Sequence, residues 1–302
     1  MKRVIFVCIL LSGMVLTGCN HGTTNAVIEH VTVITDNLLG AVQGVVMRDG
    51  FIYAYGDYKD SDKHIGVIRE YTSDLNYTGR MVVLTKNGQS IIPHPTGLTW
   101  NQQWGTFIGN TVKRKGEILR IDWKQAWIDR NLNNALLDII EDDAASNGSR
   151  PVFVKVGDEF FIASADYFCF KPELRLYNIS AMMKSKKTSS EGVIKYRIRC
   201  SQNTQNLYWD SDKGYLTLVQ NRWPFLWPYR GFHLETIILS DAVAAGSALN
   251  PSVIVSSIYF NDKEELEGWW PAGNALSIFA VNRKTGNLFT AKIRMLQEKE
   301  KK

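Results

Sequence analysis

The sequence predicts an all-β fold, a five-bladed β-propeller whose ring is closed by an N-terminal strand. Short runs rich in Val, Ile, Phe, Tyr and Trp alternate with turn signals, and no long stretch carries a helical period. One motif recurs at a nearly regular interval. The final repeat also lacks a strand that the first repeat has to spare.

The recurring motif is an apolar run that ends on Asp or Asn. It appears before Asp57, Asn110, Asp166, Asn221 and Asn282, at intervals of 53, 56, 55 and 61 residues. In three units another polar residue stands 16 positions earlier: His94, Arg150 and Gln205. Turns such as Arg48-Asp49-Gly50, Val156-Gly157-Asp158 and Thr285-Gly286-Asn287 separate the first and second strands of a unit or follow the second, where Asp, Asn and Gly supply turn geometry. Third strands are expected over 65–71, 118–122, 174–178 and 232–239. Short helical or turn segments follow at 123–127, 179–183 and 240–245, and fourth strands at 81–84, 136–140, 193–198 and 253–259. The last unit runs out after 293–296, where the charged tail 297–302 begins, while a spare strand at 27–34 precedes the first unit. Adding that strand to the last blade closes the ring and covers an edge that would otherwise pair with other chains. The domain therefore spans 27–296, and a sandwich of repeated hairpins is the competing architecture.

Lys2 and Arg3 precede an apolar stretch over 4–16, too short against the roughly 20 residues a spanning helix needs. Residues 1–18 read as a secretory signal peptide. The run Leu16-Thr17-Gly18-Cys19 resembles the lipobox of bacterial lipoproteins. That resemblance implies cleavage before Cys19, lipidation of Cys19 and a short tether over 19–26. The domain is then held at a membrane surface of the cell envelope, outside the cytoplasm. A buried N-terminal element that happens to end in Gly-Cys is the alternative. Loss of the leader lowers the formal net charge from +5 to +3, too little to argue for nucleic acid as a partner. Cys8 leaves with the leader, so Cys169 and Cys200 remain as a disulfide candidate or as two separate buried thiols.

No Gly-x-Ser-x-Gly elbow, phosphate-binding loop, His-Glu-x-x-His or Cys-x-x-Cys occurs. The chemistry is instead positional. Loops that enter first strands and leave second strands share one face of a propeller. This brings Gln43, His94, Arg150, Gln205 and Glu267 to the same mouth as Asp57, Asn110, Asp166, Asn221 and Asn282. Oxygen donors in a ring, with Asp57 and Asp166 as the carboxylates, suit a hard cation such as Ca²⁺. In kind the arrangement is similar to calcium-dependent lactonase propellers. Turn chemistry alone also favours Asp and Asn at strand ends. Trp223 and Trp227, stiffened by Pro224 and Pro228, offer flat faces for sugar stacking, whereas Trp100, Trp104 and Trp209 are expected to pack between blades. The stretches His94-Pro95-Thr96-Gly97-Leu98 and Ser149-Arg150-Pro151 resemble bacterial propeller-like proteins of unassigned function. The expected function is capture of a glycan or other envelope component at the channel mouth. A scaffold subunit of an envelope complex, or a hydrolase using Asp57 and Asp166, are the alternatives.

Overall fold

The computed structural model describes residues 23–36, 39–58, 64–167, 170–222, 231–262, 264–282 and 286–296. Cys19, Cys169, Trp223, Trp227, the leader and the charged tail lie outside these residues. The chain is mostly strand, arranged as antiparallel four-stranded meanders. It opens with β1 (Thr24–Ile34). The first unit is β2 (Leu39–Arg48), β3 (Phe51–Tyr58), β4 (Gly66–Tyr71) and β5 (Tyr77–Val83), followed by a small hairpin of β6 (Thr85–Lys86) and β7 (Gln89–Ser90). The second is β8 (Pro95–Asn101), β9 (Gly105–Val112), β10 (Lys115–Ile121) and β11 (Leu136–Asp142), with α1 (Trp123–Asp129) before its last strand. The third is β12 (Val152–Val156), β13 (Glu159–Ala165), β14 (Glu173–Asn178) and β15 (Ile194–Arg199), with α2 (Ile179–Ser185). The fourth is β16 (Thr204–Asp210), β17 (Tyr215–Arg222), β18 (Gly231–Ile238) and β19 (Ile254–Phe260), with α3 (Leu239–Ala245). The last is β20 (Leu266–Gly273), β21 (Leu276–Val281) and β22 (Leu288–Met295).

The spare strand takes the place left in this last unit. β1 pairs antiparallel with β22 from Ala26↔Met295 to Ile34↔Leu288. The strand begins three residues before the expected 27, and the third strand of the unit begins at Leu288, well before 293. A second pairing was not foreseen. The first residues of β1 also run parallel to β19, Thr24↔Ile258 to Ala26↔Phe260, so the fourth and last units merge into one eight-stranded sheet.

Side-chain alternation explains the packing. Each sheet buries both faces, and the cores lie between successive units. Val46, Tyr53 and Ile68 of the first unit meet Leu98, Ile108 and Leu119 of the second. Phe107 and Ile118 meet Phe153 and Ile162. Phe161 and Leu176 meet Leu207 and Leu218. Phe232 and Leu234 meet Phe279 and Phe289. Val42, Ala54 and Val67 of the first unit also meet Ile278 and Leu288 of the last. Trp100, Trp104 and Trp209 pack on three of these cores, as expected of large aromatics. Cys200 is buried in the core between the third and fourth units.

The innermost strands come close. At Gly44 of β2 a Cβ would lie 2.1 Å from Tyr55 Oη and 2.7 Å from Asn206 Nδ2 of the fourth unit. Asn206 Nδ2 donates to Tyr55 Oη at 2.8 Å and to Glu267 O at 3.2 Å, tying the first, fourth and last units together. The helices α1 and α2 are capped locally: Asp122 Oδ1 accepts from Gln125 N at 3.0 Å, and Asn178 Oδ1 from Ala181 N at 2.9 Å.

Candidate functional site

The first strands of the units open onto a cavity of about 540 Å³. Its wall includes Gln43, His94, Arg150, Gln205 and Glu267, one strand-entry residue from each unit. Two local devices aim them inward. In β2, β16 and β20 the pairing slips by one residue, between Val42 and Gly44, Thr204 and Asn206, and Leu266 and Gly268. Gln43, Gln205 and Glu267 are the extra residues at these bulges, and a bulge re-aims its side chain out of the alternating pattern. In the second and third units the device is proline. Pro95 and Pro151 hold the preceding His94 and Arg150 to extended backbone.

The residues at the second-strand ends divide by role. Asn282 lines the cavity, where its Nδ2 donates to Glu265 Oε2 at 3.2 Å. Asp57 reaches the cavity through His94, with Oδ1 2.9 Å from His94 Nδ1. Asn110, Asp166 and Asn221 are buried and turn instead to the fold. Asn110 Nδ2 donates to Glu117 Oε2 at 2.8 Å, and Asn221 Oδ1 accepts from Leu266 N at 2.9 Å. Asp166 takes a two-pronged contact from Arg175, Nη1 to Oδ1 at 2.7 Å and Nη2 to Oδ2 at 3.1 Å, and accepts from the backbone of Ser146 and Glu173. Asp57 and Asp166, expected as a Ca²⁺ pair, are thus engaged separately, one by a histidine and one by a guanidinium. Among the described residues no three His, Cys, Asp or Glu side chains converge as a metal site.

The cavity also holds residues that the sequence pattern left out, among them Arg114, Asn147, Tyr167 and Glu265. Arg114 sits at the tip of the β9–β10 hairpin, where Lys113 and Arg114 both have positive φ, and its side chain is exposed. Glu265 stands two residues before Glu267. Burial pushes the Glu267 carboxyl up to about 8, and the neighbouring Glu265 adds to the rise. Arg150, 5 % exposed, donates from Nε to Gln205 O at 3.1 Å and from Nη1 to Asn147 O at 3.2 Å, and its guanidinium lies over the Tyr167 ring at 4.9 Å. Burial pulls its pKa down to about 10, which leaves it charged at neutral pH. A second hollow of about 350 Å³, at the other ends of the first strands, has Trp100, Tyr208, Trp209 and Trp270 in its wall. Trp100 and Trp270 stack there at 6.1 Å.

No protein-family model matches the chain, and no curated protein does. Among solved structures, a luciferin-regenerating enzyme is similar at 11% identity and a TM-score of 0.50, over 88% of this chain and 95% of that one. A glycoside hydrolase described as putative, from Bacteroides ovatus, is similar at 8% identity and a TM-score of 0.47, over 88% and 96%. Kuenenia stuttgartiensis hydrazine synthase is similar at 11% identity and a TM-score of 0.44, over 89% of this chain and 66% of that one. At such identities the likeness concerns the fold alone, and the fold is propeller-like.

Proposed function

We propose that the chain is a five-bladed propeller closed by β1, anchored through a lipid on Cys19 outside the cytoplasm, whose channel mouth binds a glycan of the cell envelope. For the ring, the support is that the innermost strands touch in cyclic order, β2 with β8, β8 with β12, β12 with β16, β16 with β20 and β20 with β2. For the ligand, one observation carries the reading: a strand-entry residue from every unit lines a single polar cavity. The amides of Gln43, Gln205, Asn147 and Asn282 each offer donors and an acceptor, which suits a ligand bearing many hydroxyls.

Titration of the full chain, in detergent, against cell-wall and capsular oligosaccharides tests this by calorimetry and thermal unfolding. A bound glycan at 100 times its Kd is expected to add about 2.7 kcal/mol of apparent stability. The double variant Gln43→Ala and Gln205→Ala is expected to lose about tenfold in affinity or more, because each amide leaves a hydroxyl unpaired in the cavity. A broad panel on which no glycan binds sinks the reading.

The anchor is tested separately. β1 is paired from Thr24, so only residues 20–23 separate it from Cys19, a reach of at most about 14 Å. Cys19→Ala is expected to abolish palmitate labelling. Absence of label on the wild-type chain, or label that survives Cys19→Ala, overturns the anchor.

A further inference from the structure

We infer that the ligand of the channel-mouth cavity carries a carboxylate, received by Arg150, which narrows its class to acidic sugars. The inference rests on the glycan reading above and deepens it. Its starting point is a contrast among three buried arginines. Arg69 has Asp36 Oδ2 at 2.7 Å from its Nε, close although not aligned as a hydrogen bond, and Arg175 has Asp166 at 2.7 Å. Arg150 is as deeply buried, yet it forms no ion pair among the described residues. Its hydrogen-bond partners are three backbone carbonyls, Gln205 O at 3.1 Å from Nε, and Asn147 O at 3.2 Å and Gly148 O at 3.5 Å from Nη1. These bonds engage Nε and Nη1, and Arg150 lines the cavity.

A buried cation with no carboxylate in direct contact is costly for a fold to hold. Here it is also fixed in place. Pro151 restricts its backbone, its N–H donates to Ser164 Oγ at 3.1 Å, and Tyr167 lies against the guanidinium plane. Such a group is preorganised to receive an anion. None of the surrounding carboxyls makes an ion pair with Arg150. Asp57 is bonded to His94, and Glu265 to Asn282. Burial and the neighbouring Glu265 raise the Glu267 carboxyl, and in its protonated form it can donate to an incoming oxygen. Arg114 adds an exposed cation at the rim. With one buried cation, the floor of the cavity matches a singly charged carboxylate better than a phosphate dianion. A small acid alone would leave most of the cavity and its amides unfilled, so the acid group belongs to a sugar.

Matched pairs test this: galactose against galacturonate, and N-acetylglucosamine against N-acetylmuramate, titrated calorimetrically into the full chain and into Arg150→Gln and Arg150→Lys. Galactose 6-phosphate and lactate complete the set. The acidic member of a pair is expected to bind the wild type at least about tenfold more tightly than the neutral one. That preference should disappear in Arg150→Gln and persist, weakened, in Arg150→Lys. Circular dichroism establishes that each variant is folded. If Arg150→Gln does not fold, the wild-type pairs and Arg150→Lys decide the matter. Equal binding of neutral and acidic partners overturns the carboxylate while the glycan reading stands. A preference that survives Arg150→Gln, tighter binding of the phosphate, or lactate binding as well as the sugar acids also overturns the inference. Absence of binding by every sugar removes both readings.

Discussion

A chain lacking residues up to Ile34 is expected to accumulate as insoluble protein without a cooperative unfolding transition. β1 is held on two sides, antiparallel to β22 and parallel to β19. Its removal strips β22 of its backbone partners along the strand and β19 of three more, leaving β22 as a long unpaired edge, the template on which strands of other molecules add. Ala26 and Ile28 also leave the core shared by Phe232, Phe260 and Phe289. The ion pair Arg294 Nε to Glu29 Oε1 at 2.7 Å is lost as well, but it is exposed and contributes little. Static light scattering and a thermal melt of the truncated chain check this, with a synthetic peptide of residues 23–36 supplied in trans as the rescue. A soluble truncated chain that melts within a few degrees of the full one would mean that β1 is dispensable.

Asp142→Ala is the single substitution with the largest expected loss of stability. Asp142 is fully buried where the second unit meets the third. Its Oδ1 accepts from Tyr177 Oη and Thr188 Oγ1, each at 2.7 Å, and its Oδ2 from Ser149 Oγ at 2.7 Å. Alanine leaves three buried hydroxyls without their acceptor, at about 1–3 kcal/mol for each that finds no other. A net loss on the order of 4 kcal/mol is expected, or roughly 10 °C in Tm for a domain of this size. Burial raises the Asp142 pKa, and its hydrogen bonds pull the other way. Asp142→Asn keeps one acceptor oxygen and should therefore cost less. Chemical denaturation of the two variants compares them directly. An alanine variant within about 1 kcal/mol of wild type would mean that the hydroxyls had found other partners.

The repeat was legible because each unit must build the same hairpins, and turn chemistry at positions such as Asp49-Gly50 recurs with them. The placing of β1 was legible by subtraction, from one missing strand and one spare. Its parallel contact with β19 was not, since a three-residue backbone pairing leaves no trace in side-chain pattern. Of the five strand entries that line the cavity, His94, Arg150 and Gln205 stand 16 positions before the Asp or Asn of their unit, and Gln43 and Glu267 stand 14 and 15 before theirs. What makes three of them face the cavity, the bulge, is a backbone feature. Its one sequence trace is the glycine that follows Gln43 and Glu267, since Gly within a strand often marks a bulge. Asp166 looked like a ring ligand because nothing in the sequence couples it to Arg175, nine residues on. Strand pairing of β13 with β14 creates that contact. Glu265 and Tyr167 were hidden for a simpler reason: each lies within two residues of one that already filled the repeat position.

The pairing of β1 with β22 also sets the order in which the molecule can finish folding. Glu29 and Arg294, which meet across that pair, are 265 residues apart in the chain. At roughly 5–20 residues per second, the first strand waits on the order of tens of seconds for its partner to be synthesised. The last core cannot be completed in that interval, and long-range strand pairing is slow even afterwards. Until its final strand arrives the nascent polypeptide stays incompletely folded. The export proposed for this chain requires that condition, since a narrow translocation channel passes only unfolded polypeptide.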